Sequence, residues 1–408
     1  MTNKNAIRPQ PADTGVAVNR ERPDALERPS LRIVFLTRAL NYGGAERQLV
    51  TLAKGLHNRG DRVVVAVFYR GGELEPDLHR AGVPVVVLDK SGRWDALGFL
   101  WRLIKFIRAE EPDVVNGYLI LPNLLALLLR LSFPRTRAVW GVRDSDMDLD
   151  RLDWLERVIY RGQCMLARFA DSIIVNSHAG LAHACASGFP REKMIVVPNG
   201  INTEYFQADD EGGRELRVAW GVKSNEMLIG LVGRLDPMKG HPTFLKAAAA
   251  LVRKHDDLRF VCVGDGPLDY RKELIQRSKR LGLAERIVWA RARGDMPVVY
   301  SALDILVSSS YGEGFANVIA EAMACGVPCV VTDVGDSAWI AGEAGEVARP
   351  KDPGALEAAI ERSLQRIIAG RFNSECNRQR IIDFFSVQTL IARTEAAFGS
   401  SDRPLKEV

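Results

Sequence analysis

The chain has 408 residues, more than one hydrophobic core usually supports, so two domains with connecting pieces are expected. Its 47% hydrophobic and 26% charged residues exclude a disordered or collagen-like chain. The net charge is +4, with 23 Lys+Arg against 18 Asp+Glu in residues 31–203 and 25 against 27 in residues 204–399. That asymmetry is too small for the basic stripe nucleic acid requires, and it fits a mild attraction to anionic lipid.

Residues 1–30 are polar, without the apolar core of a secretory signal, and are expected to be a disordered leader. From residue 31, short β-branched runs alternate with helix-length segments: LRIVFL (31–36), DRVVVAVF (61–68), VPVVVLD (83–89), PDVVNGY (112–118), RAVWGVRD (137–144), DSIIVNS (171–177) and MIVVPNG (194–200). Such runs predict a parallel sheet covered on both faces, giving a first domain over 31–203. A polar, Gly- and Glu-rich stretch at 207–226 interrupts the pattern. It restarts with MLIGLVGRL (227–235), LRFVCVGDG (258–266), RIVWA (286–290), DILVSSS (304–310) and VPCVVTDVG (327–335), a second doubly wound domain over 204–383. Ligands in such sheets bind beyond the carboxyl ends of the strands, so two facing domains make a cleft.

Six cysteines (Cys164, Cys185, Cys262, Cys325, Cys329, Cys376) form no CxxC pair and no disulfide framework, which suits a reducing, cytoplasmic compartment. The apolar run Leu119 to Leu129 is interrupted by Pro122 and Asn123 and is too short to span a bilayer.

The most informative segment is YGEGFANVIAEAMACGVPCVVTDVG (311–335), read as strand, glycine turn, helix and strand. Glu313 lies in the turn beside Gly314, and Glu321 follows eight residues later in a helix beginning near Ala316. The amides of Phe315, Ala316 and Asn317, with Val318 next, would face a phosphate or sugar hydroxyl at a helix N-terminus. Glu321 could accept both hydroxyls of a ribose. In GRLDPMKGHPTFLKA (233–247) Arg234 and Lys239 share one loop at a strand's carboxyl end, where two cations can neutralise a departing diphosphate. Taken singly, these four side chains would be ordinary surface charges; their coincidence argues for a site. At the front, Gly43 and Gly44 would let backbone approach a ligand closely before the helix carrying Glu46 and Arg47. Neither GxGxxG nor GxxxxGK[ST] nor GxSxG occurs, which speaks against a nicotinamide dehydrogenase, a P-loop enzyme and a hydrolase triad. Of the six histidines only His241, near Lys239, invites a test.

The Gly43-Gly44 loop, PNG at 198–200, Arg234 and Lys239, GDGP at 264–267 and the Glu313-x7-Glu321 pair together resemble glycosyltransferase family 4 from about residue 31 to 399. The resemblance implies a GT-B fold, two doubly wound Rossmann-like domains facing across a cleft, with a C-terminal helix at 384–399 crossing back to the first domain and a tail at 400–408. It implies that Arg234 and Lys239 hold the donor diphosphate, Glu321 the ribose, Glu313 the donor sugar or its surroundings, and Gly44 the sugar-phosphate. It further implies a retaining transfer from a nucleotide-diphosphate sugar to a saccharide or lipid-linked acceptor, with no cofactor and no metal. Where many members carry an H-x-H pattern after the fourth strand, this chain reads Asn116-Gly117-Tyr118. Tyr118, Arg143 and Asp144 are placed on the acceptor side, and Asp144-Ser145-Asp146 also imitates a metal-binding DxD. WGxRxSD segments like that at 140–146 are similar to those of members assembling bacterial surface polysaccharides. The rival reading is a sugar-nucleotide epimerase of the same shape, which would turn over the donor without an acceptor.

The helix WDALGFLWRLIKFIRAE (94–110) is expected to bury a stripe of Leu97, Leu100, Trp101, Ile104 and Ile107, as the outer helix of a Rossmann layer. Its flank of Arg102, Lys105 and Arg108 beside Phe99 and Phe106 could instead rest on the inner face of the cytoplasmic membrane.

Overall fold

The computed structural model describes residues 29–92, 94–143 and 154–399. The first sheet has seven strands, β1 (Arg32–Thr37), β2 (Arg62–Val67), β3 (Val85–Val87), β4 (Val114–Tyr118), β5 (Arg137–Val142), β6 (Ser172–Val175) and β7 (Met194–Val196), in the order β3-β2-β1-β4-β5-β6-β7. The second has six, β8 (Met227–Val232), β9 (Leu258–Val263), β10 (Ile287–Ala290), β11 (Ile305–Ser308), β12 (Cys329–Thr332) and β13 (Glu346–Ala348), in the order β10-β9-β8-β11-β12-β13. Every pairing is parallel, as Val- and Ile-rich strands buried on both faces require. The strand order reverses between β1 and β4 and between β8 and β11, which places a crevice at the carboxyl ends of those four strands.

Helices α1 (Gly44–Asn58), α2 (Glu75–Arg80), α3 (Ala96–Glu110), α4 (Ile120–Ser132), α5 (Trp154–Leu166) and α6 (His178–Ala186) accompany the first sheet. Helices α7 (Asp210–Ala219), α8 (His241–Leu251), α9 (Leu268–Arg280), α10 (Met296–Ser301), α11 (Asn317–Ala324), α12 (Ser337–Ala341) and α13 (Pro353–Ile368) accompany the second. Two more close the chain, α14 (Ser374–Phe385) and α15 (Val387–Gly399). Leu390, Ile391, Ala397 and Phe398 of α15 sit in the hydrophobic cluster of α1, β1 and β2, whereas Ile381 and Phe385 of α14 pack with α11. Gly55 permits the α1–α15 approach: a Cβ there would lie 2.3 Å from Ile391 Cδ1. Backbone bonds from Ile201 to Phe385 and from Val387 to Ile201 tie the crossing in place.

Three sequence expectations change. The polar stretch at 207–226 contains α7, capped by the Asp209 side chain on the Gly212 amide and anchored by Leu216. The run from Leu119 forms α4, because Pro122 falls in its first turn, where a missing N–H removes no intrahelical bond. In α3 the buried face is Phe99, Leu103 and Ile107, so Leu97 and Trp101 point to solvent and the expected stripe is rotated. Among the described residues no helix is long and apolar enough to cross a membrane.

Candidate active site

The loop after β8 is shaped by short-range contacts. Asp236 accepts the Met238 N–H and starts a turn over Pro237–Lys239, which Gly240 ends with φ 68°. Only glycine fits there, since a Cβ would lie 1.8 Å from the Ser309 carbonyl oxygen. That approach brings the loop against the end of β11, and Lys239 Nζ lies 2.5 Å from Glu313 Oε1, which also accepts from Ser310 Oγ at 2.7 Å. Lys239, Glu313, Ser309, Ser310 and Val318 line one hollow at the ends of β8 and β11. Arg234, on the same loop, does not line it: its side chain is 80% exposed, with Asp236 3.8 Å away.

The turn carrying Gly314 and Phe315 is held from behind by Gly335, whose φ of 57° lets it press on the Glu313 carbonyl, and by the Asp336 N–H bonding the Gly314 carbonyl. Phe315 is a core side chain against Phe385, so only its backbone reaches the cleft. Helix α11 then starts with Ala316 at its cap position and no side-chain cap, leaving the first amides open to a ligand.

Glu321, one turn further, is 3% exposed. Its carboxylate is not open on both oxygens as expected: Oε1 meets Arg47 Nη2 at 3.1 Å, and Oε2 accepts the Tyr300 hydroxyl at 2.7 Å. Burial, then the Glu321 charge, pushes the Tyr300 hydroxyl well above the ordinary tyrosine range, so it stays a donor. For Arg47 burial is the largest single influence and opposes the charge, but Glu321, Tyr42 and Tyr300 together outweigh it and the guanidinium is held above its ordinary value. Arg47 and Tyr300 escaped the sequence reading. Arg47 had a signal, one helical turn after Gly43-Gly44; Tyr300, from a helix elsewhere in the chain, had none.

Across the cleft, Gly43 is extended and caps α1. A Cβ on Gly44 would lie 4.0 Å from Asn317 Nδ2, so the glycine loop faces the start of α11 directly. Gln48 exchanges two hydrogen bonds with Gly200, which fixes the Pro198-Asn199-Gly200 loop. Asn199 in turn donates to Asn317 Oδ1 at 2.9 Å. Tyr118 is a correction: it is 1% exposed, packs edge-on against Phe35, and accepts a bond from Arg143 Nη2 at 2.8 Å, so it supports Arg143 instead of facing the cleft. Asp144, and the Asp144-Ser145-Asp146 sequence with it, lies outside the described residues. His241 is buried at the start of α8 and presents nothing to the cleft.

Residues 42–205 match the family model described as Glycosyltransferase Family 4, and residues 226–366 match Glycosyl transferases group 1. A D-inositol 3-phosphate glycosyltransferase of Actinosynnema mirum is 33% identical over 334 residues, spanning 72% of this chain and 76% of that one. The chain belongs to glycosyltransferase family 4. Another similar member is the lipopolysaccharide core biosynthesis mannosyltransferase LpsB of Rhizobium meliloti, 36% identical over 173 residues, 42% of this chain and 47% of LpsB. The crystal structure of Anabaena HepE in complex with UDP-glucose superposes with a TM-score of 0.77 at 25% identity, over 90% of this chain and 99% of HepE. The glycosyltransferase therefore has the GT-B fold, and its two sheets are the two Rossmann-like halves.

Proposed function

We propose that this glycosyltransferase is a retaining, metal-independent hexosyltransferase that carries sugar from a nucleotide-diphosphate donor to a hydroxyl of a lipid-linked saccharide in surface polysaccharide or lipopolysaccharide assembly. The observation that carries the reading is the meeting of Lys239, Glu313, Ser310 and the uncapped start of α11 in one crevice, opposite Gly44. In this reading the diphosphate lies against the α11 amides, with Arg234 and Lys239 supplying the positive charge that the leaving group needs. Glu321 takes the ribose and Glu313 the sugar side. The acceptor oxygen bonds to the anomeric carbon as the carbon–phosphate oxygen bond breaks, and the departing phosphate oxygen takes the acceptor's proton. Attack and departure on one face retain configuration, so positioning and electrostatics suffice without a carboxylate nucleophile.

Support comes from the solved complex of HepE with UDP-glucose and from the lipopolysaccharide assignment in the name of LpsB. The membrane side of the reading rests on α3 and the turn before it, where Trp94, Leu97 and Trp101 are exposed together with Lys105 and Arg108, a composition suited to an anionic lipid surface. A thermal-shift screen of UDP-, GDP-, ADP- and dTDP-sugars, followed by nucleotide release with and without lipid-linked acceptors, tests the reading. Stabilisation by one sugar nucleotide, with acceptor-dependent release that Glu321→Ala and Lys239→Ala abolish, is the expected outcome. Acceptor-independent conversion would point to an epimerase, and absence of nucleotide binding would overturn the donor site.

A further inference from the structure

Glu321 is held by two groups that differ in how firmly they are themselves placed. The Tyr300 hydroxyl, 2.7 Å from Oε2, belongs to a fully buried side chain, set in the hydrophobic cluster of the second half with the Phe206 ring 6.2 Å away. Close packing leaves it no other direction to turn. Arg47 Nη2, 3.1 Å from Oε1, comes from α1 across the cleft, and its side chain is 34% exposed. Its guanidinium also lies 5.7 Å from the centre of the Tyr42 ring. Tyr42 is 65% exposed, and its backbone N–H donates to Glu73 Oε2 at 2.9 Å, which fixes the loop that carries it. An arginine beside an open aromatic face has a second resting place once it leaves a carboxylate.

Helix α1 itself gives no reason for a cation here. Arg47 stands one turn from its start, and helical side chains lean back toward the N-terminus, where the dipole disfavours positive charge. Its neighbours Gln48, Leu49 and Val50 are buried and fix the helix without it. The Glu321 carboxylate is what offsets that cost, and it is the group proposed to receive a ribose. With Glu321 only 3% exposed, Oε1 has little open surface for a ribose hydroxyl while Arg47 stays. The chain thus fills from within an oxygen that a nucleotide needs.

We propose that Arg47 is a self-inhibitory plug in the ribose seat: a nucleotide binds by displacing its guanidinium from Glu321 Oε1, and the freed side chain stacks on Tyr42. The proposal rests on the donor-site reading, in which Glu321 takes the ribose. Displacement breaks a charged contact between the halves and leaves the Asn199–Asn317 bond, which keeps the cleft walls joined while the seat opens.

Calorimetric titration of the full chain with UDP, GDP, ADP and dTDP tests it, in the wild type, Arg47→Met and Glu321→Gln. A plug in place for more than about two-thirds of the time weakens apparent affinity at least about threefold, so the diphosphate that binds the wild type should bind Arg47→Met tighter by that factor. An arginine with a merely structural role predicts the opposite, unchanged or weaker binding in a less stable chain. Glu321→Gln should bind more weakly than the wild type. The plug is overturned, and the donor site kept, if Arg47→Met binds no tighter than the wild type while Glu321→Gln loses the nucleotide. Full binding by Glu321→Gln removes the ribose assignment and the plug together, as does absence of binding in all three proteins. Binding by Arg47→Met where the wild type shows none supports the plug in its strongest form. Arg47→Gln, which also lacks the charge, takes the place of Arg47→Met should that variant fail to fold.

Discussion

Asp336, at the start of α12, reaches across the cleft to His178, at the start of α6: its Oδ2 accepts the His178 backbone N–H at 2.8 Å and lies 3.1 Å from the ring Nδ1, while Oδ1 accepts the Ala179 N–H at 3.0 Å. A buried carboxylate from one half thus satisfies the helix N-terminus of the other, and the His178 ring stands edge-on to Trp339. This clasp holds the two halves together without ligand. Asp336→Ala is expected to destabilise the protein by about 1–3 kcal/mol and to enlarge its radius of gyration. Urea unfolding and small-angle scattering read the two effects, and unchanged scattering would show that the clasp does not govern opening.

Arg47 and Glu321 form a charged bridge between the halves, and the ribose is proposed to need the same carboxylate. Arg47→Met should lower stability by about 1–2 kcal/mol, less than for a fully buried pair because the Arg47 side chain remains one-third exposed. Glu321→Gln should keep the Tyr300 bond and the fold while losing the rise in Tm that a sugar nucleotide produces. A full nucleotide-induced shift in Glu321→Gln would remove this residue from the donor site.

Lys239 is neutralised by Glu313 in the unliganded cleft, so a diphosphate must compete with that carboxylate. Lys239→Ala is expected to lower kcat by about 10²- to 10³-fold, as loss of a charge-stabilising donor does in other active sites. Steady-state kinetics that show only a raised KM would assign Lys239 to binding and not to leaving-group stabilisation.

His241 sets an acid limit on stability. Burial lowers its imidazole from 6.5 to about 4, the Asp236 carbonyl acting against that shift and the Lys239 charge adding to it. The unfolded chain therefore takes up a proton below pH 6.5 that the folded chain refuses until about pH 4. Stability should fall as pH drops through that interval, by up to about 1.4 kcal/mol per unit, and His241→Leu should flatten this part of the profile. Unfolding free energies measured from pH 7 to 4 check it; parallel profiles would exclude His241 as the cause.

Helix α3 carries the membrane reading, and its charges are not equivalent. Arg102 donates to the Leu88 and Asp89 carbonyls and pairs with Asp95, so it belongs to the fold. Trp101 and Lys105, stacked 5.4 Å apart, and Arg108 are exposed. Trp101→Ala combined with Lys105→Glu and Arg108→Glu should abolish sedimentation with vesicles of anionic phospholipid while leaving the melting temperature within a few degrees. Sedimentation equal to the wild type's would rule out this helix as the contact.

The strands were legible because parallel strands buried on two faces need unbroken apolar runs, and the β8 loop and α11 because their Gly, Pro and charged residues have few uses together. The partners of those residues were not legible. Arg47 lies 274 positions from Glu321, and no local pattern reports a bond of that separation. The rotated face of α3 has a similar origin, since a helix apolar on more than one side leaves the choice of buried face to β2 and β4. Tyr118 was misplaced because the end of a strand offers two sides, and which one meets Arg143 depends on the neighbouring strand.

The position of α15 also bears on how the protein is made. Phe398 and Leu390 complete a cluster whose other members include Ile33, Leu49 and Val65, so this one cluster of the half synthesised first stays unfinished until almost the whole chain has left the ribosome, while its other two clusters need no residue beyond 196. The second half draws its main clusters from residues 201 to 385 and meets no such delay. Completion of that cluster therefore waits for the last helix, and the nascent first half spends the interval with an open apolar seam on α1.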